Sequence, residues 1–430
     1  MSLTGLGGSG DGAAEAPAQR RGGGAAALSG DPRRVALIML AVLAVVGVFQ
    51  ALTPGPFRHY FVDVVLTQSL VLGVAAASIV FLSAFGGMIS LAQVFLYGAC
   101  GFVIGNAVTT GESKGLNLGW NPWLGVLLGV GITTALGFLL GIVASRSSGL
   151  YYLMITLAYG VIGNYFFGQV TVLSGFGGVN QVRTPGFIGE PTDATNPERM
   201  FYTALVVSVA VYLLLRYVSR TPFGLALQGV RDDPVRMNSL GYNVAMHRTW
   251  AFTLAAFVAS LAGVLYVWER RAIDPATINL GGILDLLVIA VIGGVLVLEG
   301  AWLGAFIFVA VENYVRNVVF LNNWIEEARF RTIVGAMVLI LVLACPDGVV
   351  GLRKVRGALP MAIVGGAIWG AVGGIEEGAP GAVAGVIVGA VSGIGAAGLV
   401  SWLAGHRDSA VGAWAKLLAT GRAGRVAAGN

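Results

Sequence analysis

Charged residues are scarce in this chain. Only 11% of its 430 residues are charged and 56% are hydrophobic, whereas about a quarter of the residues in a soluble domain are charged. This shortage excludes a soluble globular protein, because too few charges are present to cover such a surface. The net charge of +5 does not indicate a nucleic-acid-binding protein, because the basic residues lie in loops between apolar segments.

Residue types that bind metals or carry out catalysis are scarce as well. The two cysteines, Cys100 and Cys345, lie in apolar segments, so neither a disulfide framework nor a metal site is predicted. The three histidines, His59, His247 and His406, fall outside those segments. No nucleophile–base set is visible, and we predict no catalytic residue, metal ligand or cofactor in this chain. The motif Gly-x-x-x-x-Gly-Lys-Ser/Thr is missing too, which excludes an ATPase site of that type.

Long apolar runs are what the chain has instead. Runs near 20 residues recur, the length that crosses about 30 Å of hydrocarbon. They predict an all-α, polytopic helical membrane protein with about ten core spans and a Gly-rich C-terminal helical hairpin. The expected spans are 35–52, 62–84, 88–108, 123–144, 150–173, 200–215, 250–268, 283–298, 302–321 and 333–345, with 360–374 and 381–404 forming the hairpin.

Composition and charge predict the arrangement of the chain ends. Residues 1–34 are rich in glycine and alanine, and we expect them to be disordered. The run 35–52 is long enough to span and no small-residue cleavage site follows it, so we expect a span rather than a cleaved signal. A cytoplasmic N-terminus puts most of the 26 basic residues on the cytoplasmic side, in accord with the positive-inside rule. The polar loop 216–250 and the tail 405–430 are then cytoplasmic as well.

The loop 216–250 contains a short helix with a signal at each end. Asp232 or Asp233 can cap its N-terminus, and Pro234 suits the first helical position. Gly241 can adopt the left-handed conformation that ends a helix. The predicted helix, Pro234 to Leu240, has about two turns and is too short to be stable alone. We therefore expect it to dock against a partner.

The segment after Ala84 differs from a plain lipid-facing helix. It contains four glycines from Gly86 to Gly101 together with the polar residues Ser90 and Gln93. Small residues allow close helix packing, whereas paired glycines can break a helix where it lines a cavity. The sequence leaves open whether residues 85–108 form a full span or a broken helix beside a substrate path.

Several separated motifs resemble the permease subunits of branched-chain amino acid ABC importers, the LivM/LivH group. They are Gly87-Met-Ile-Ser-Leu-Ala92, residues 146–158, the cytoplasmic stretch from Phe223 to Pro234 and residues 346–352. The resemblance covers roughly residues 62–356, and the cytoplasmic stretch is its most specific part. It implies a permease domain at 35–356, followed by the Gly/Ala-rich transmembrane hairpin at 357–404.

The chain departs from the family pattern at several positions. Arg236 and Met237 stand where the helix of the cytoplasmic loop usually has alanines, and Ala301 stands where a proline is usual. Residues 357–430 lie outside the expected permease. These departures put the usual substrate in doubt more than the importer class.

The resemblance implies a set of partners. A separate cytoplasmic ATPase, which carries the ATP, would grip the loop through Arg231, Asp232, Asp233, Pro234, Leu240 and Gly241. A second permease subunit, identical or paralogous, would complete the pathway in a bacterial inner membrane. A periplasmic or lipid-anchored solute-binding protein would deliver the solute to an outer mouth that includes residues 174–199. The expected solutes are branched-chain or similar small amino acids, urea or short amides.

Two alternatives remain open at this stage. The first is a secondary carrier that works without an ATPase, and the second is a membrane scaffold without transport activity. A secondary carrier or an ion channel more often has buried acids or histidines. The neutral polar residues of the spans favour a path for a small polar solute instead.

Individual polar residues are candidates for that path. Each also has a structural interpretation, as a packing or interhelical hydrogen-bonding group. The candidates are Ser90, Gln93, Thr156, Tyr159 and Asn164.

Three acids lie in or near the late spans. Glu299 is expected at a cytoplasmic end in a solvated role, and Glu312 is expected to pair with Arg316 one turn away. Asp285 stays ambiguous between a functional and a structural role.

Overall fold

A computed structural model describes residues 65–110, 115–173, 177–186, 188 and 197–317. The expected spans 35–52 and 333–345, the hairpin 357–404 and both chain ends lie outside the described residues, as do parts of the outer loop 174–199. The described helices are α1 (Thr67–Gly86), α2 (Gln93–Val108), α3 (Pro122–Ala144), α4 (Leu150–Gln169), α5 (Pro197–Arg220), α6 (Pro222–Asp232), α7 (Pro234–Ser239), α8 (Val244–Arg270), α9 (Leu280–Gly293) and α10 (Gly300–Asn317).

The helices confirm the helical membrane architecture. Within the described residues, five helices are long and apolar enough to cross a membrane, namely α1, α3, α4, α8 and the part of α5 from Arg199 to Arg220. The helices α2 and α9 are apolar but shorter. The observed α3 differs from the expected span 123–144 by one residue, because Asn121 caps its N-terminus and Pro122 follows at the first helical position.

Helix α1 lies at the centre of the bundle. Almost all of its residues are buried, and it packs against α5, α8, α9 and α10. A helix that is apolar on every side is stable where other helices or lipid surround it, and here other helices cover α1. Gly73 allows the closest of these approaches, because a Cβ atom there would lie 2.6 Å from the Trp302 ring.

Helix α3 packs through a stripe of small residues. Its buried residues recur at every fourth position, which forms a flat face that lets helices approach closely. The opposite face carries large exposed apolar side chains such as Leu127 and Leu139, and this is the composition of a lipid-facing surface. The buried stripe consists of Gly125, Gly129, Thr133, Gly137, Gly141 and Ala144.

A short pair of strands was not expected from the sequence. Val179–Asn180 (β1) pairs antiparallel with Ala272–Ile273 (β2). Two-residue strands leave no periodic pattern, and their pairing depends on contacts between distant parts of the chain. A 3₁₀ turn, Pro275–Ile278, follows β2 and leads into α9.

The polar loop expected at 216–250 contains more helix than the sequence predicted. Helix α5 continues to Arg220, α6 and α7 follow almost without interruption, and α8 begins at Val244. Thr221 caps α6 with its hydroxyl, which accepts a hydrogen bond from the Gly224 N–H at 3.4 Å. The loop is therefore a run of helices rather than an irregular segment with one short helix.

Contacts bring several helix ends together at one end of the bundle. Arg231 of α6 meets Ala84 of α1, and the Thr249 hydroxyl donates to the Ser145 hydroxyl at 2.9 Å. Arg216 of α5 meets Glu299, which immediately precedes α10, at 3.0 Å. We call this end of the bundle, which carries α6 and α7, the coupling end.

Candidate functional site

Helix α6 is anchored to the bundle by one apolar face. Leu227 and Val230 are fully buried, and α6 packs against α1, α5 and α8. The Gln228 side chain adds a hydrogen bond to the Ser219 carbonyl oxygen at 3.1 Å. Helix α6 is therefore part of the packed body and can transmit a displacement to it.

Helix α7 is displayed on the surface, with no buried residue. The Asp233 carboxylate accepts a hydrogen bond from the Arg236 N–H at 2.9 Å, so Asp233 rather than Asp232 is the cap. The helix ends at Ser239, one residue earlier than predicted, and Gly241 has the expected left-handed φ of 89°.

The exposed surface of α7 and its C-cap Leu240 is mixed, with apolar side chains beside the polar Arg236, Asn238 and Ser239. The side chains of Val235 and Leu240 are 75% and 65% exposed. Exposed apolar side chains rimmed by polar groups are typical of a surface that binds a partner. The capped helix thus presents two apolar side chains at the coupling end.

Several contacts hold α7 against its neighbours. Met237 lies over Gly229 of α6, where a Cβ atom would meet its sulfur at 2.8 Å. The Tyr242 N–H donates to the Met237 carbonyl oxygen at 3.1 Å. Beside α7, the rings of Phe223 on α6 and His247 on α8 stack with centroids 5.8 Å apart and join those two helices. Met237, one of the departures from the family pattern, therefore fills the space above a glycine.

Arg231 is directed at the transmembrane helices. Its guanidinium donates a hydrogen bond to the Ala84 carbonyl oxygen in the last turn of α1. The same group pairs with Asp232 at 2.9 Å. The side chain thus links α6 to α1, and its contact with an ATPase stays a prediction.

The glycine pair at 86 and 87 breaks the helix. Helix α1 ends at Gly86, Gly87 has a left-handed φ of 64°, and α2 begins only at Gln93. The sequence left open whether residues 85–108 form one full span, and the structure shows that they are not one continuous helix. We call residues 87–92 the break segment.

The break segment brings three predicted path residues together. The Leu91 N–H donates to the Thr156 hydroxyl at 3.2 Å, and the Gln93 amide donates to the Ser90 hydroxyl at 3.4 Å. Ser90, Gln93 and Thr156 are all fully buried. The Gln93 carbonyl oxygen has no hydrogen-bond partner within the described ranges. Since buried polar atoms almost always have a partner, this oxygen marks a polar spot in the bundle that can take a further donor.

Tyr152 and Arg248 belong to the same region, and the sequence analysis missed them. Tyr152 is almost fully buried and lies near Ser90 and Arg248. The Tyr152 hydroxyl and Arg248 Nε have no hydrogen-bond partner in the part of the chain that is described. Tyr152 lies four residues before Thr156 on α4, so the two share one face of the helix. This spacing was visible in the sequence.

The other two path candidates hydrogen-bond to backbone groups outside the break segment. The Tyr159 hydroxyl donates to the Leu140 carbonyl oxygen at 3.3 Å, and the Asn164 amide donates to the Pro275 carbonyl oxygen at 2.9 Å. Both contacts join α4 to another element, which is what the structural interpretation expects. A role of either residue in solute passage stays a prediction.

Glu299 has more specific contacts than a solvated acid needs. It accepts hydrogen bonds from the Tyr212 hydroxyl at 2.8 Å and from Arg216 at 3.0 Å. The Glu299 side chain is 42% exposed, while that of Arg216 is only 13% exposed. No local pattern could reveal this cluster, because more than 80 residues separate Glu299 from both Tyr212 and Arg216 along the chain.

The remaining acids are less informative. Asp285 lies on an exposed position of α9. The predicted partner of Glu312, Arg316, has a side chain outside the described part, so that pair stays a prediction. Among the described residues, no group of three or more His, Cys, Asp or Glu side chains could hold a metal ion.

Comparison with known proteins places these features in a family. The profile of a family described as "Branched-chain amino acid transport system / permease component" matches residues 61–343. The chain is 24% identical to the high-affinity branched-chain amino acid transport system permease protein LivM of Escherichia coli (strain K12) over 245 residues, which are 52% of this chain and 56% of that protein.

Two further relatives extend the comparison. The Salmonella typhimurium LivM is 25% identical over 185 residues, 38% of this chain and 44% of that protein. The fructose import permease protein FrcC of Rhizobium meliloti is 25% identical over 280 residues, 64% of this chain and 73% of that protein. The matches span about half the length of the two LivM proteins. No solved structure matches the chain at the same level of significance. Because the family profile covers most of the described residues, the chain belongs to the permease components of branched-chain amino acid transport systems.

Proposed function

We propose that this chain is the transmembrane permease subunit of an ATP-driven importer. The observation that carries the proposal is the capped helix α7, which presents Val235 and Leu240 to the surface while α6 beside it is packed into the bundle. A short amphipathic projection of this kind suits a groove on a partner. The partner is a separate ATPase that binds and hydrolyses ATP, because the chain lacks a phosphate-binding motif of its own.

The remaining subunits follow from the same proposal. A second permease, identical or paralogous, completes the pathway, and a periplasmic or lipid-anchored binding protein delivers the solute. The coupling end faces the cytoplasm of a bacterial cell, with both chain termini on that side of the inner membrane. The concentration of Arg216, Arg231, Arg236 and Arg248 at or near this end supports that orientation through the positive-inside rule.

The solutes are branched-chain or similar small amino acids, urea or short amides. The polar region at the break segment consists of neutral groups from Ser90, Gln93, Tyr152 and Thr156. Neutral donors and acceptors bind a small polar solute through hydrogen bonds. Arg248 lies near this region, its Nε lacks a partner among the described residues, and it can meet a carboxylate.

A sugar is the second candidate solute. The permease FrcC, described as a fructose import protein, aligns with a larger share of this chain than either LivM protein does. Hydroxyl and amide groups around the break segment can bind sugar hydroxyls as well as amino acid groups. Mass spectrometry of the ligand retained by the purified binding protein distinguishes a sugar from an amino acid, urea or a short amide.

Reconstitution in vesicles tests the proposal. Uptake of radiolabelled leucine, urea and fructose is measured with the binding protein, in the presence and absence of the ATPase and ATP. We expect uptake of one solute class only when both the ATPase and ATP are present. Uptake without the ATPase would instead identify a secondary carrier, and no uptake of any solute would favour a scaffold.

The short helix is tested by changing the residue that ends it. Gly241→Val places a branched side chain at a left-handed φ that such residues rarely adopt, and we expect ATP hydrolysis to continue without uptake. Gly131→Val is the matched control, because Gly131 has no atom within 4 Å of an added Cβ and no positive φ. Normal uptake in Gly241→Val would contradict the role of α7 in coupling.

A further inference from the structure

Arg231 differs from the other five residues predicted to contact the ATPase. Within the described part of the chain, it is the one whose side chain bonds to a transmembrane helix. We propose that Arg231 is a positioning residue that transmits movement of α6 and α7 to the break segment. This inference rests on the proposed function, since the movement comes from the ATPase.

The first link is the contact with α1. The last carbonyl groups of a helix have no partner within the helix, and an arginine side chain can satisfy one of them. Arg231 does so at Ala84, three residues before the break segment. The Leu227 side chain, one turn earlier on α6, lies 3.8 Å from the position that a Cβ atom on Gly86 would occupy. Helix α6 therefore contacts the end of α1 at two points.

The second link is the contact with Gly87. A Cβ atom on Gly87 would lie 2.6 Å from Cγ of Arg231 and 3.4 Å from its Cβ. The stem of the arginine thus lies directly over the residue at which the chain turns. Gly87 also has a left-handed φ of 64°, which disfavours residues with a Cβ atom. Both the conformation and the available space require glycine here.

The third link is the far end of the break segment. Leu91 is held by Thr156 through a 3.2 Å hydrogen bond, and the buried Ser90 and Gln93 lie next to it. Only six residues lie between α1 and α2, and contacts hold the segment near both ends, at Gly87 and at Leu91. A displacement of Arg231 at Gly87 is therefore expected to shift the polar groups around Gln93.

Labelling of Ile89 tests this transmission without knowledge of the solute. Ile89 lies in the break segment and is 38% exposed. Ile89→Cys is introduced into a variant in which Cys100 and Cys345 are replaced by alanine, and the full complex with the ATPase is assembled. The rate of labelling by a fluorescent maleimide is measured without nucleotide and after trapping with ATP and vanadate. We expect trapping to change this rate by about tenfold or more, the scale set by gaining or losing a charge-assisted hydrogen bond.

Variants of Arg231 separate transmission from docking. Arg231→Met keeps the apolar stem but removes the donor, and we expect the response to trapping to vanish while the ATPase still copurifies. Arg231→Lys retains a donor and is expected to restore part of the response. A full response in Arg231→Met would overturn the proposal. Loss of the ATPase from the Arg231→Met complex would overturn it as well, because Arg231 would then be a docking residue.

The glycine pair supplies matched controls. Gly87→Ala is expected to abolish the response, whereas Gly86→Ala should retain it, since its Cβ would meet the flexible end of Met88 at 3.1 Å and make an ordinary contact with Leu227 at 3.8 Å. Equal responses in the two variants would contradict the second link. Failure of the parent chain to bind the ATPase would reject the proposed function itself, which distinguishes that outcome from failure of the Arg231 contact alone.

Discussion

Gly263 offers a quantitative test of the packing between α8 and α2. A Cβ atom added to Gly263 would lie 2.3 Å from the Tyr97 carbonyl oxygen and 3.1 Å from Cβ of Cys100. A backbone carbonyl group inside a helix cannot rotate away, so the two helices would have to separate. Gly263→Ala is therefore an overpacking mutation at the centre of the bundle.

The expected effect follows from two opposing terms. Alanine favours a helix over glycine by about 1 kcal/mol. Overpacking a buried contact costs about 1–3 kcal/mol, occasionally more, and a contact with backbone belongs at the upper end of that range. We expect Gly263→Ala to lower the free energy of unfolding by about 1–2 kcal/mol after the helix term is subtracted.

Thermal unfolding followed by circular dichroism measures this difference. The matched control is Gly131→Ala, which has the same intrinsic gain and open space around the added methyl group. Gly263→Ala should unfold a few degrees below the parent, on a scale of about 2–4 °C per kcal/mol, and Gly131→Ala should unfold at or above it. A midpoint for Gly263→Ala equal to or above that of Gly131→Ala would refute the described helix contact.

Three further substitutions test the coupling end and the break segment. Asp233→Ala removes the cap of α7, costs about 1 kcal/mol of local stability and should weaken copurification of the ATPase, whereas Asp233→Asn should preserve it. Thr156→Val leaves the Leu91 N–H without its acceptor, so we expect about 1–3 kcal/mol of destabilisation in thermal unfolding, and Thr156→Ser should rescue it. Glu299→Gln weakens the contact with Arg216 and should cost about 1 kcal/mol after allowance for solvent screening. That loss should shrink at high salt, and a salt-independent loss would contradict the ion pair.

Several features of the fold could be predicted from local patterns. The end of α3 at Ala144 was predicted, and Asp233 was one of the two predicted caps of α7, because apolar run length, capping residues and glycine at a left-handed position act within a few residues. The break at Gly87 was recognised as one of two alternatives. Paired glycines serve close packing as well as helix breaking, so the sequence could not choose between them.

Other features depend on residues that are distant along the chain. The direction of the Arg231 side chain toward Ala84, the pairing of β1 with β2 and the contacts of Glu299 with Tyr212 and Arg216 leave no local signal. Each joins segments whose proximity is decided by the packing of whole helices. For the same reason the sequence predicted α7 but missed the helix α6 beside it, whose stability comes from burial of Leu227 and Val230.

The sequence by itself determined that this protein resides in a membrane, which segments become helices and where the short capped helix begins, because these depend on hydrophobic length and on hydrogen bonds between near neighbours. Only the tertiary structure decided which polar groups meet. It brought Ser90, Gln93 and Thr156 together at the break segment, gave Tyr159 and Asn164 hydrogen bonds to other parts of the bundle and directed Arg231 to Gly87. The physical reason is that hydrogen bonds and close packing in a bundle act over a few ångströms, between atoms that only the assembled helices bring within reach.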